Sequence, residues 1–73
     1  MDELILYSKA NCPNCEMLKD NLKRCGVEFT EKRVDLDQDS RDFLIWQGHR
    51  TVPVMYRGGI HLKNLNDYME VAI

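Results

Sequence analysis

Cys12 and Cys15 lie three residues apart and enclose Pro13 and Asn14, and this short turn carries the most reactive chemistry in the chain. A thiolate attacks disulfide sulfur, and a second thiol one helical turn away can capture the mixed disulfide that results. The turn follows an apolar run, Leu4-Ile5-Leu6-Tyr7, and opens a segment of helical period. At a helix N-terminus, unpaired backbone N–H groups and the positive end of the dipole stabilise a thiolate. Lys9, three residues before Cys12, adds positive charge nearby. The placement assigns roles: Cys12, at the cap and expected to be exposed, is the nucleophile. Cys15, on the apolar face with Leu18 and Leu22, is the resolving thiol.

The same pair is half of a zinc site, and its spacing alone leaves that alternative open. Zinc would need two further ligands, and there is no second C-x-x-C and no H-x₃₋₅-H pair. Cys25, His49 and His61 are the remaining soft candidates. Cys25 stands ten residues beyond Cys15 on the same helix, roughly 15 Å away at 1.5 Å per residue, too far to share one tetrahedral ion. The strand–turn–helix context favours redox chemistry, with no metal at the site.

The elements that must position the thiols follow from period and punctuation. Residues 4–7 are too few for a helix and suit a strand buried on both faces. From Pro13 to Arg24, Cys15, Leu18, Leu22 and then Cys25 recur along one helical face. Pro13 fits the first helical position, and Gly26 is a stop. Residues 27–34 form a second strand. Asp39 or Ser40 caps a second helix carrying Phe43, Leu44 and Trp46, which Gly48 ends. Residues 52–56 form a third strand, Gly58-Gly59 a tight hairpin turn and 60–62 a fourth strand. A last helix opens at Asn64 or Asn66 and runs through Leu65, Tyr68, Met69 and Ile73. The order β-α-β-α-β-β-α predicts an α/β fold. Its mixed four-stranded sheet has a parallel first pair, an antiparallel last pair and helices on both faces.

Composition bounds the rest. The chain has 73 residues, is 44% hydrophobic and 30% charged, and sets 10 Lys+Arg against 12 Asp+Glu for a net charge of −2. One domain, 1–73, is expected, burying only roughly 60% of its unfolded surface, so the core is thin. The balance lacks the basic footprint of nucleic-acid binding. No apolar run approaches the ~18 residues of a membrane span. The acidic start Met1-Asp2-Glu3 is unlike a signal peptide, and three cysteines in the first third are unlike a disulfide scaffold. A cytoplasmic monomer that binds neither nucleic acid nor membrane is expected.

Thr51-Val52-Pro53 stands just before the third strand, where a proline removes no ladder donor. On spacing alone it is a loop-to-strand transition. Taken together, a strand, C-P-x-C, a helix, Thr-Val-Pro about forty residues on, a glycine hairpin and a last helix resemble glutaredoxins. The likeness covers essentially the whole chain, and the ordered pair of motifs is what makes it specific. It implies a thioredoxin fold and a redox-active dithiol that reduces protein disulfides or glutathione mixed disulfides. It also implies that Pro53 is cis and faces the dithiol. The backbone of Val52 then pairs with the extended backbone of glutathione or a substrate peptide, an instance of β-strand addition. Lys9 matches the family's basic residue that meets a glutathione carboxylate, and Gln47 and Arg50 are candidates for a similar role.

The chain departs from the family at Asn14, where tyrosine is usual, and in the stretch after the fourth strand. Glutaredoxins carry Gly-Gly followed by Asp there; this chain has Lys63-Asn64-Leu65-Asn66-Asp67, with Asp67 standing in for the acid. Gly58-Gly59 belongs to the hairpin and is not that motif. These departures also suit small glutaredoxin-like redoxins that thioredoxin reductase reduces and that serve ribonucleotide reductase. The resemblance thus implies no tightly bound cofactor, glutathione as a co-substrate, and glutathione or thioredoxin reductase as electron donor. A glutathione-ligated iron–sulfur cluster is the metal-binding alternative; Pro13 argues against it, since members with clusters carry a more open, single-cysteine motif.

Other reactive-looking residues have structural readings. Cys25 is expected in the core, although its place at the helix end leaves room for glutathionylation. Trp46 is expected to pack in the core, with contact to a reductase as the sharper alternative. His49 and His61 are surface or turn residues. Asp35, Asp37, Asp39 and Asp42 form a solvated acidic turn that lacks the glycine and glutamate of a calcium loop. Arg57, beside the hairpin, is a candidate for steering an acidic partner.

Overall fold

The computed structural model describes residues 3–62 together with 71–72. Its elements are β1 (Leu4–Ser8), α1 (Pro13–Arg24), β2 (Thr30–Arg33), α2 (Gln38–Trp46), β3 (Thr51–Val52), β4 (Val54–Arg57), β5 (Ile60–Leu62) and β6 (Val71–Ala72). The main sheet has the order β2-β1-β4-β5. β1 runs parallel to β2 and antiparallel to β4, and β4 is antiparallel to β5, the mixed arrangement expected. Gly58 and Gly59, with φ of 59° and 78°, make the β4–β5 turn in a conformation that L side chains rarely adopt.

Strand alternation divides the core. Leu4 and Leu6 of β1 and Met55 of β4 share one face with Leu18, and Leu22 of α1 packs there too. Ile5, Tyr7, Val54 and Tyr56 take the other face, against Phe43 and Leu44 of α2. The period of two thus sends neighbouring residues to opposite helices, and among the described residues each face receives one helix. Tyr7, Phe43 and Tyr56 meet with ring centroids 5.3–6.0 Å apart. Burial pushes the phenols of Tyr7 and Tyr56 up from their ordinary range.

Several sequence expectations are corrected. The second strand is shorter than 27–34. The second helix begins earlier, with Asp37 as its N-cap, whose carboxylate accepts a hydrogen bond from the Ser40 hydroxyl at 2.5 Å. The third strand is split at Pro53 into β3 and β4. Trp46 is 83% exposed: the buried face of α2 carries Ser40 and Leu44, and two residues past Leu44 is roughly 200° around a helix. Cys25 is exposed too. Helix α1 ends at Arg24 with Cys25 as its C-cap, past Cys15 and Leu18, the residues through which the helix is buried. The last expected helix falls mostly outside the described residues. Its end does not hold, because Val71–Ala72 is a strand that pairs antiparallel with β3, whose backbone offers it hydrogen bonds.

Candidate active site

Helix α1 begins as its sequence requires, with Pro13 at the first position and Cys12 as N-cap in extended geometry. Cys12 and Cys15 are joined as a disulfide with Cα atoms 5.2 Å apart. The backbone N–H of Cys15 donates to Sγ of Cys12 at 3.2 Å. That donor is one of the orphans of the first turn, aimed at the atom that carries charge once the pair is reduced.

Cys12 is only 1% exposed in this oxidised state, against the expected exposure. The bond ties its sulfur to Cys15, which faces the core, and both join the buried cluster of Tyr7, Leu44, Val52 and Val54. Val52 and Pro53 are fully buried. The Val52–Pro53 peptide bond is cis, as the resemblance implies. Thr51, Asn14 and Lys9 are half-buried, whereas Pro13, Gln47 and Arg50 are exposed. Asp67 lies outside the described residues.

The loop before Cys12 has an anchor that sequence reading missed. Asn11 holds φ of 54°, a left-handed conformation that asparagine tolerates better than most residues. Arg33 at the end of β2 grips Asp35 through Nε and Nη2 at 2.8 and 2.6 Å. Asp35 in turn accepts a hydrogen bond from the backbone N–H of Ala10. Led by the Arg33 hydrogen bonds, these contacts hold the Asp35 carboxyl at about 2. The acidic turn is therefore more than solvated surface. The Arg-x-Asp spacing was its only sequence signal.

A second bracket fixes α1 against the sheet. The hydroxyl of buried Ser8 donates to Glu31 at 2.5 Å, and Lys19 of α1 lies 2.9 Å from Glu31 and 2.8 Å from Glu16. Burial would raise the Glu31 carboxyl, but the hydrogen bonds from Ser8 and Lys19 and the charges of Lys19 and Arg33 hold it low. His49 and His61 also prove more engaged than expected. His49 Nε2 is 2.6 Å from the Tyr56 hydroxyl, and the two imidazole centroids are 4.5 Å apart.

No cluster of three or more His, Cys, Asp or Glu able to hold a metal ion occurs among the described residues. Nor is any described helix long and apolar enough to cross a membrane. Arg57 lines an open groove with Glu3, Leu4, Val27, Glu28, Phe29 and Thr30. That groove lies at the start of β1, whereas the cysteines follow its end.

The family model for glutaredoxin matches residues 4–62. The chain belongs to the glutaredoxin family. It is 36% identical over 67 residues to glutaredoxin-C2 of Arabidopsis thaliana, covering 84% of this chain and 59% of that protein. Over 57 residues it is 35% identical to the glutaredoxin-like protein NrdH of Salmonella typhimurium, covering 78% and 70%. The chain spans about three-fifths of the length of the plant glutaredoxins it matches. A buckwheat glutaredoxin–glutathione complex superposes with a TM-score of 0.72 at 28% identity, covering 89% of this chain and 63% of that one. A thioredoxin-like protein superposes at 0.77 with 23% identity, covering 86% and 88%, and this likeness carries the fold alone. The four-stranded mixed sheet, with the two helices found among the described residues, is thus a thioredoxin-type core.

Proposed function

We propose that this glutaredoxin-family chain is a thiol–disulfide oxidoreductase of protein disulfides and glutathione mixed disulfides. The observation that carries the reading is the Cys12–Cys15 disulfide at the N-terminus of α1, with the Cys15 N–H directed at the Cys12 sulfur. In the reduced protein the Cys12 thiolate attacks a substrate sulfur, forming a mixed disulfide and expelling a thiolate that takes up a proton. The Cys15 thiolate then attacks Cys12 Sγ. This releases the second substrate thiolate and leaves the intramolecular disulfide, which two electrons from a donor reduce again. Val52 supplies backbone pairing for the substrate beside the dithiol, Thr51 and Pro53 set that edge, and Lys9 meets an anionic group. Clustering of the cysteines in the first third supports a reducing compartment, the cytoplasm, as the place of action.

Glutathione is the first proposed donor. Support comes from the family and from the buckwheat relative, whose structure is a glutathione complex. Thioredoxin reductase is the second, with ribonucleotide reductase as the protein substrate. The departures from the family's Gly-Gly-Asp stretch, and the likeness to the NrdH protein, favour it.

The test is NADPH consumption with a small disulfide, driven in parallel by glutathione with glutathione reductase and by thioredoxin reductase. Turnover with glutathione alone assigns the first donor. Turnover with thioredoxin reductase alone assigns the second and makes ribonucleotide reductase the substrate to test. Failure of both systems sinks the oxidoreductase reading and returns the thiolates to the zinc or iron–sulfur alternative, which metal analysis would then decide.

A further inference from the structure

Val52 stands opposite Val71, and Thr51 opposite Ala72, in an antiparallel pairing. In such a ladder, opposed residues alternate between pairs that exchange both N–H···O bonds and pairs that exchange none. Were Val52–Val71 a pair of the second kind, the flanking bond would need an N–H on residue 53. Residue 53 is proline and has none. Val52 and Val71 are therefore the hydrogen-bonded pair: the Val52 N–H donates to the Val71 carbonyl, and the Val71 N–H donates to the Val52 carbonyl. The polar groups of Ala72 point away from β3.

A strand residue directs its N–H and C=O to the same side, so one partner engages both. The Val52 N–H is a single donor already in use. We infer that β6 occupies the backbone edge at which substrate pairs, so that a peptide or glutathionyl substrate must displace Val71 before it is held for attack. This rests on the function proposed above. The chain carries its own competitor for its substrate edge. Disulfides with no peptide backbone do not meet this competition. The apparent affinity for a peptide-like substrate is then reduced by the fraction of molecules whose edge is open.

The test measures the second-order rate constant of the reduced full chain with a glutathionylated peptide and, separately, with 2-hydroxyethyl disulfide. Val71→Pro removes the donor that bonds Val52; Ala72→Pro is the control, since that N–H faces away. Val71→Pro is expected to speed reaction with the glutathionylated peptide by about 3- to 10-fold, as an edge closed most of the time becomes open. It is expected to leave 2-hydroxyethyl disulfide unaffected, and Ala72→Pro to change neither rate. An unchanged or slower rate of Val71→Pro with the glutathionylated peptide, beside a normal rate with 2-hydroxyethyl disulfide, overturns the inference and leaves the oxidoreductase reading standing. A wild-type chain inert to both disulfides overturns the oxidoreductase reading, and the inference falls with it. Should Val71→Pro fail to fold, amide exchange in the oxidised wild-type chain decides. Saturating S-methylglutathione should accelerate exchange at Val71 at least about threefold while Val52 stays protected, the sign of one partner replacing another. Unchanged protection at Val71 overturns the inference.

Discussion

The Cys15 amide donates to Cys12 Sγ at 3.2 Å, so in the mechanism proposed above the resolving residue also stabilises, through its backbone, the sulfur that forms the mixed disulfide. The two contributions separate under mutation. Cys15→Ser keeps the amide and loses the thiol. Its Cys12 should still attack disulfides but hold the product as a persistent mixed disulfide. Intramolecular attack draws on effective molarities of up to about 10⁵ M or more, so millimolar external thiol should leave turnover of protein disulfides at least about a hundredfold slower. Mass spectrometry of the trapped adduct and steady-state rates check this. Protein-disulfide turnover by Cys15→Ser at the wild-type rate would be fatal to the dithiol mechanism.

What the sequence made legible was periodic or covalent. The helical spacing from Pro13 to Arg24 marked α1 with its observed ends, and C-P-x-C at its start located the disulfide. The short apolar run of β1 and the Gly58-Gly59 turn were equally plain, because both are local signals. The misses depend on contacts between distant segments. Trp46 was assigned to the core for its apolarity, but which face of α2 is buried is set by where the sheet lies. Asp35 looked like one acid among four; its partner Ala10 lies in the loop that follows β1, far off in sequence. The strand at Val71–Ala72 exists because β3 offers it an edge, and no propensity of two residues announces that.

Asp35 should titrate as a gripped carboxylate. Its folded value of about 2 lies below the ordinary 3.8. Its contribution to stability is therefore present above the ordinary value and is lost as pH falls through about 2. The amide resonance of Ala10 should follow the same transition, since the carboxylate is its acceptor. An NMR titration showing the Asp35 carboxyl near its ordinary value would remove the anchor. Asp35→Asn should broaden or shift the amides of residues 9–12 while leaving those of the β4–β5 hairpin in place.

Leu44 and Trp46 make a paired test of the packing. Leu44 is fully buried in the cluster that holds the cysteines, and Leu44→Ala should cost about 2–5 kcal/mol through lost contacts and a residual cavity. In a domain this small, that is most of the folding free energy. Trp46→Ala, at 83% exposure, should stay within about 0.5 kcal/mol of wild type. Urea unfolding of the two variants, followed by far-ultraviolet circular dichroism, reads both. Equal losses would mean that the indole, and not Leu44, is what α2 buries.

Cys25 supplies a stoichiometric check on the redox assignment. It is the free cysteine, and it is exposed, whereas Cys12 and Cys15 are bonded and buried. Under native conditions the oxidised chain should react with a maleimide at one position, and peptide mapping should place the label on Cys25. After reduction, Cys12 should label as well, because its sulfur is then a free thiol at a helix N-terminus. Cys25→Ser should abolish labelling of the oxidised form and leave disulfide turnover unchanged. Loss of turnover in that variant would instead make Cys25 a third redox centre and end the two-cysteine mechanism.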